Sequence, residues 1–353
     1  MATADISHIS FGLIKHANAP SKSKKLFLTD IVWRNVIIFV ILHWISAYAC
    51  IYLWKERRPE VYFFGQLFGT TVGMGVTAGA HRLWSHRAYK ARFPMRVVLM
   101  ILQTIAFQNC IYEWCRDHRT HHKFSDTDAD PHNSKRGFFF SHIGWLMLRK
   151  HPDVKEKGKQ IDLSDLETDP VVMFQKKYYL IMMPLLAFAF PTVLAHYIFG
   201  MNYWYSFVTV GVLRYVMSLH YTWMINSVAH TFGNRPFDEK VSATDSLTTS
   251  IIACGEGWHN YHHVFPWDYK AAELGGFSTN FTCWLIDQCA KIGQAYDLKT
   301  ASAEIVKRRV QRTGDGSHPD IKQKKEDSEK HTMVWGWEDK DMTESDKKLA
   351  TRL

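Results

Sequence analysis

The chain has 353 residues, 46% of them hydrophobic and 14% aromatic, with 43 basic and 34 acidic side chains for a formal charge of +9. That apolar share excludes a disordered or collagen-like polymer. Six cysteines, Cys50, Cys110, Cys115, Cys254, Cys283 and Cys289, show no C-x-x-C spacing, which excludes a small disulfide scaffold and reads as reduced thiols.

Residues 1–30 form a polar N-terminal segment in which Met1 to Leu28 lack the apolar core of a cleavable signal. Residues 31–80 read as a transmembrane hairpin. Stretches 35–54 and 61–80 carry no charge, and about 20 such residues span a bilayer core as a helix. Within the second, Gly65, Gly69 and Gly73 recur every four residues, the pattern of close helix packing. Residues 81–177 are polar except for 97–112, which is too short for a span and predicts an interfacial helix.

A second hairpin follows over 178–229. Its first arm, 178–201, contains Pro184 and Pro191, which membrane helices tolerate where neighbours satisfy the freed carbonyls; the second, 202–229, is broken by Arg214 alone. Residues 230–310 are again polar. Residues 311–353, with the runs 322–330 and 338–348 and the pair Trp335 and Trp337, read as a charged tail. Lys22, Lys24, Lys25, Arg82, Arg87, Lys90, Arg92, Lys176, Lys177 and Arg235 all fall on one side, against Lys55, Arg57 and Arg58 on the other. The expected fold is therefore an all-α integral membrane protein: four transmembrane helices in two hairpins, both termini cytosolic, and a helical cytosolic cap built from 81–177 and 230–310.

Histidine is in excess, with 19, and nine lie in motif spacing. His118, His121 and His122 form one cluster and His259, His262 and His263 another; offsets of three and four put each group on one helix face, able to converge on a metal. His81 and His86 are five apart, about 140° around an ideal helix, so one sits off the helix end or the two serve different metals. His230 follows Asn226 by four. Lone histidines within the spans, His43, His196 and His220, read as packed or interhelical hydrogen-bonding groups. Nine imidazoles without a cysteine pair do not suit structural zinc; shared by two metals they give four or five ligands each, which fits iron with a position left open. Asn226 offers an amide that could hold a water there. Asp117 and Glu256, adjacent to clusters, are the favoured outer carboxylates, ahead of Asp126, Asp128, Asp130 and Glu167.

The stretches GAHRLWSHRAYK at 79–90, WCRDHRTHHKFSDTDADPHNSKRGFFFSHIGWL at 114–146, NSVAHTFGNRPFD at 226–238 and GEGWHNYHHVFPWDY at 255–269 resemble the membrane-bound acyl-CoA desaturases of the stearoyl-CoA (delta-9) type, insect members in particular. The resemblance runs from the first span to about Gly316. It implies a His-ligated diiron site held by His81, His86, His118, His121, His122, His230, His259, His262 and His263, with Asn226 acting through a water. It implies acyl-CoA headgroup contacts at Asn109, Arg116, Asp117, Arg149 and Lys150, and acyl-tunnel walls at Trp114, Trp145 and Trp223. Two Fe ions (Fe2+/Fe3+) are the implied cofactor, O2 the co-substrate, and cytochrome b5 with NADH-cytochrome b5 reductase the electron source, in the endoplasmic reticulum membrane.

The implied activity is O2-dependent insertion of a cis double bond into a saturated long-chain acyl-CoA, at delta-9 first, with delta-11 and other positions open. Breaking an unactivated C–H bond needs an oxidant that no side chain provides, so the protein's task is to position the chain. Gly69 and Gly73 are candidates for the tunnel end, by leaving room for the methyl terminus. A membrane diiron fatty acyl or sterol hydroxylase or oxidase shares the same architecture and would leave an alcohol. A metal-binding or transport protein would place its ligands inside the spans, whereas these clusters lie outside them. The basic charge follows membrane topology and needs no nucleic acid.

Overall fold

The computed structural model describes residues 29–273 and 277–322. The N-terminal segment before residue 29 and the tail beyond residue 322, with Trp335 and Trp337, lie outside them. Nine helices carry the description that follows: α1 (Trp33–Lys55), α2 (Pro59–Met74, continued by wide π-type turns over Gly75–Ser85), α3 (Phe93–Ala106), α4 (Ile111–Phe124), α5 (Pro170–Phe199), α6 (203–227), α7 (His259–Val264), α8 (Phe281–Lys291) and α9 (Ala303–Thr313).

By length and apolarity, α1 and α5 are long enough to cross a membrane. A third candidate exists if α3 and α4, bent by 83°, count as one broken span. The stretches 61–80 and 202–229 are helical, but Gln66, Thr70, Arg214 and His220 dilute them, and the two helices face one another across a cavity rather than lipid alone. The predicted interfacial helix over 97–112 is not continuous. Phe107 (φ 52°) and Asn109 (φ 68°) take left-handed conformations that end α3 and turn the chain sharply into α4.

Arg214, 1% exposed, explains how α6 tolerates a charge. Pro191, which has no N–H to donate, follows wide π-type turns over Leu185–Ala189, which loosen the helical ladder around the Ala187 carbonyl. The Arg214 Nη2 donates to that oxygen at 2.6 Å, while Nη1 reaches the Ile105 carbonyl at the C-terminal end of α3 at 3.3 Å and Nε the Val210 carbonyl at 3.2 Å. One guanidinium thus joins α3, α5 and α6 where no water could serve. The glycine stripe of α2 packs on the same helix. A Cβ on Gly65 would meet the Arg214 Cβ at 3.8 Å, and one on Gly69 would fall 2.8 Å from the Ser218 Oγ, whereas nothing lies within 4 Å of a Cβ on Gly73. The spaced glycines therefore divide between helix packing and open space. The lone histidines behave as hydrogen-bonding groups: His43 Nε2 lies 3.1 Å from His220 Nε2, and His196 Nδ1 donates to the Met201 carbonyl at 2.5 Å.

At the end of the bundle where α2 and α6 finish, the chain between 86 and 169 interleaves with that between 228 and 322. Lys90–Ala91 pairs antiparallel with Ala295–Tyr296, Lys90 opposite Tyr296. A buried core runs from Trp84 and Tyr89 through Leu99 and Ile111 to Val172 and Ile286. The region predicted as tail begins docked: α9 continues to Thr313, whose Oγ1 donates to the Phe237 carbonyl at 2.7 Å, and His318 Nε2 lies 2.7 Å from Glu273 Oε2.

Replacing Arg214 by Leu would leave the Ala187 and Ile105 carbonyls without donors inside an apolar bundle. Each such loss costs about 1–3 kcal/mol. The expected outcome is a clearly lower thermal midpoint in detergent for Arg214→Leu, with Gly65→Ala close to wild type.

Candidate metal centre

The nine imidazoles converge, in two sets. His81, His86, His118, His122 and His262 form one and His121, His230, His259 and His263 the other, with ligand-type atoms within 4.8 Å of one another in each. Both α4 and α7 serve both sets: residues four apart, His118 with His122, share one side, while His121 faces the other, and His262 parts from His259 and His263 in the same way. The expectation that each clustered motif converges on one metal is thus replaced by a division of each motif between two.

His81 and His86 fall in the same set, so the alternative of different metals does not hold. The reason is the wide turn at the end of α2, where the His86 N–H bonds to the His81 carbonyl, five residues back, at 3.1 Å. An i to i+5 bond brings residues five apart over one another, which an ideal α-helix does not do. Gly75, at the start of those turns, has no room for a Cβ, which would lie 2.1 Å from the Gln103 N of α3.

The GEGWH run is also accounted for locally. Gly255 holds φ +110°, and a Cβ on Gly257 would lie 2.2 Å from the Ser250 N, so both positions need glycine to seat α7. Asp245 Oδ1 accepts from the Asn260 and Tyr261 N–H groups at 2.8 and 3.2 Å, capping α7. The Asn260 side chain ties the helix to the 237–243 loop through the Phe237 N–H and the Asp238 and Ala243 carbonyls.

Outer partners fix three tautomers. His81 Nδ1 donates to Glu256 Oε2 at 2.7 Å, His121 Nδ1 to Asp130 Oδ1 at 2.9 Å, and His230 Nδ1 to Ser242 Oγ at 2.8 Å, which itself donates to Asp126 Oδ1 at 2.8 Å. Each of the three then turns an Nε2 lone pair inward. Those Nε2 atoms lie 2.9 Å from His262, 3.3 Å from His263 and 3.0 Å from His259, Nε2 to Nε2, and His86 approaches His118 at 2.8 Å. Burial first, then crowding by neighbouring imidazoles, pushes His86, His118, His122, His259, His262 and His263 well below the ordinary value, and His230 to about 3. Neutral rings with lone pairs aimed at a shared point fit cations, and five and four imidazoles suit first-row transition metals.

Glu256 is an outer carboxylate, as expected, and is held in turn by Arg82 at 2.8 Å. Arg82, 1% exposed, also donates from its two Nη atoms to the Tyr269 and Lys270 carbonyls and to Asn280. Burial alone would raise the Glu256 carboxyl, but Arg82 and His81 outweigh it and bring it down to about 2. Asp117 does not orient a ligand; it pairs with Arg116 and Lys150. Asp130 and, through Ser242, Asp126 take that role instead. The signal lay in the run from Asp126 to His132, whose turn lets Asp130 also accept the His132 N–H at 3.0 Å.

Three cavities lead past the centre. The outermost, about 920 Å3, is lined by Asn109, Arg116, Asp117 and Lys150; the next, about 410 Å3, shares Asn109 and Asp117 with it and adds Trp114, Trp145 and Trp223. The innermost, about 100 Å3, shares Trp114, His118 and Asn226 with the second and runs between α2 and α6 to Gly73 and Gly69. Of the predicted contacts, Arg149 alone lies off this path, exposed beside Asp30 at 3.8 Å. His132, absent from the predicted set, lines the middle cavity, its ring 4.4 Å from His121.

Paired imidazole sets beside a long apolar cavity define a metal-dependent oxidase acting on an extended apolar substrate. The family model described as fatty acid desaturase matches residues 57–272. The chain is 52% identical over 331 residues to an acyl-CoA Delta-9 desaturase of Acheta domesticus (93% of this chain, 88% of the relative) and 49% identical over 332 residues to an acyl-CoA Delta12-desaturase of the same organism (93% and 89%). It is 50% identical over 288 residues to a stearoyl-CoA desaturase 5 of Bos taurus (82% and 85%). The chain belongs to the fatty acid desaturase family and is an enzyme of the desaturase type.

The Glu256 carboxyl sits below its usual value near 4.5, so its contribution to stability is complete above that pH and is lost as pH falls toward about 2. Acid unfolding should reflect this. Glu256→Gln is expected to be less stable than wild type at neutral pH, with the gap narrowing between pH 4.5 and 2, as followed by tryptophan fluorescence in detergent.

Proposed function

We propose that this chain is a four-span acyl-CoA desaturase of the endoplasmic reticulum membrane that inserts one cis double bond into a saturated long-chain acyl-CoA. The observation that carries the reading is the continuous cavity path. It begins at cationic Arg116 and Lys150, passes histidines of both imidazole sets, and reaches Gly73 and Gly69 between two helices. The relatives' names, acyl-CoA and stearoyl-CoA desaturase, support the same substrate class. Delta-9 is the first expectation for the double bond; a Delta12 enzyme at nearly the same identity as the Delta-9 one leaves delta-11 and delta-12 as alternatives.

In this reading Arg116 and Lys150 bind the phosphates of coenzyme A, and Asp117 and Asn109 hydrogen-bond its amides. Trp114, Trp145 and Trp223 enclose the chain and exclude water, with the Trp114 ring stacked 4.8 Å from His118. Two iron ions held by the five- and four-imidazole sets would supply the oxidant, with O2, for removing two hydrogens from adjacent methylenes. Asn226 lines both inner cavities, and its amide would hold a water at a metal's open position. The balance is one O2, two electrons and two protons taken up, and one alkene and two waters formed. Cytochrome b5, reduced by NADH through its reductase, provides the electrons. The ligand His86 shares a solvent-open cavity with Arg87 and Lys123, which suits an acidic carrier.

Chain length is set where α2 meets α6. Tyr221 donates to Gln66 Oε1 at 2.6 Å just below the innermost cavity, and Gly73 offers the open wall. Gly73→Leu should shift product toward shorter acyl chains in yeast lipid profiles, while an unchanged profile in protein that accumulates normally refutes the tunnel end at this position.

Expression in a host lacking its own desaturase, with double bonds located by mass spectrometry, tests the reading as a whole. New monounsaturated acids should appear with the wild type and fall below detection with His121→Ala or His262→Ala at equal protein level. Hydroxy acids in their place would identify a hydroxylase instead.

A further inference from the structure

A cavity of about 690 Å3 lies between the start of α1 and the loop 136–148, and shares no lining residue with the three cavities of the acyl path. Backbone pairing holds its walls together. Ile31 bridges to Leu148, the Val32 N–H donates to the Met147 carbonyl at 2.7 Å, and Asn35 Nδ2 donates to the Leu146 carbonyl at 2.8 Å. Its lining is apolar, with Trp33, Val36, Phe139, Met147 and Leu148 among the walls, and its one charged member is Arg136.

The Arg136 guanidinium carbon sits 3.6 Å over the Phe140 ring. Among the described residues the guanidinium has no hydrogen bond and no ion pair, although partial burial already pushes its pKa down. A half-desolvated cation with five unused donors is matched by an anion it can grip at two points, and phosphate has that geometry. The height of the site in the membrane selects the source. Trp33, 64% exposed, opens α1, a helix long enough to cross a membrane, and a bare tryptophan at a span end suits the headgroup level; Phe139, 65% exposed, flanks the same cavity. A second apolar protein face would cover the rings and strand the charge.

The geometry points to a binding site for one anionic phospholipid, its phosphate on Arg136 and one acyl chain in the cavity beside Val36 and Met147. The lipid is a resident of the cap–membrane junction and is separate from the substrate. Its chain would fill the gap between α1 and the loop carrying Trp145, and so brace one wall of the middle cavity.

The full-length protein, reconstituted in nanodiscs of phosphatidylcholine with a minor share of phosphatidic acid of the same chains, tests this by native mass spectrometry of the lipid retained. Wild type should retain phosphatidic acid about tenfold over its bulk share, equivalent to about 1.4 kcal/mol. Arg136→Gln should lose that enrichment, Arg136→Lys should keep part of it, and Val36→Trp, which fills the cavity, should lose it with the cation intact. Iron content and a monodisperse elution profile identify variants that remain folded. The proposal is overturned by equal retention of both lipids in wild type or by undiminished enrichment in Arg136→Gln. It is also overturned if short-chain phosphatidic acid or inorganic phosphate competes as well as the long-chain lipid, or if enrichment appears only once residues 1–28 are removed, which would make that segment the occupant.

Discussion

Nine imidazoles with their Nε2 atoms 2.8–3.3 Å apart form the constraint around which the rest of the protein is arranged. Lone pairs at that spacing repel, and burial forbids relief by protonation, because charging any of these rings in the interior is costly. The arrangement is stable with cations between the rings. It also ties together four stretches remote in sequence: the end of α2, all of α4, the turn after α6 and α7. Metal ions held there would contribute to folding as well as to chemistry, by offsetting the crowding of those four segments. Glu256 and Asp130 supply the compensating negative charge one bond further out, and each is anchored by groups other than its histidine, Arg82 in one case and the Asp126 and His132 N–H groups in the other.

The sequence revealed which side chains belong to this centre but not how they are shared. Spacings of three and four are visible in any string, and they named six of the rings; His81, His86 and His230 came from their motifs. Assigning rings to sets requires knowing the helix to which they belong. The His81 and His86 pair looked inconsistent because 100° per residue was assumed where the chain adopts wider turns, and nothing in HRLWSH itself announces that change. The pressure comes from Gly75 lying against the backbone of α3, a tertiary contact. Proximity in sequence likewise favoured Asp117 over Asp130. Asp117 follows the helix face toward Lys150 at the mouth of the cavity, while the turn over 125–132 folds Asp130 back beneath His121.

The membrane reading shows the same division. α1 and α5 are apolar because they face lipid, and their composition is sufficient to recognise them. The helices over 59–85 and 203–227 face each other across the cavity and carry Gln66, Tyr221, Thr222 and Ser218. A helix that lines a cavity is freed from uniform apolarity, so hydropathy understates it. Arg214 is the extreme instance. In composition it is a flaw in a span, whereas in the fold it donates to the Ala187 carbonyl in the π-type turns before Pro191.

The two halves of the glycine stripe carry a consequence for specificity. Gly65 and Gly69 face Arg214 and Ser218 and let α2 and α6 approach closely; a methyl at Gly65 would only touch Arg214, whereas one at Gly69 would press on Ser218. Gly73, one turn or about 5.4 Å nearer the imidazoles, faces open space. The helices approach closely at one level and leave room at the next, where the innermost cavity runs between them. For an acyl chain entering from Arg116 and Lys150, as proposed above, the level at which α2 and α6 close would bound how far it can reach.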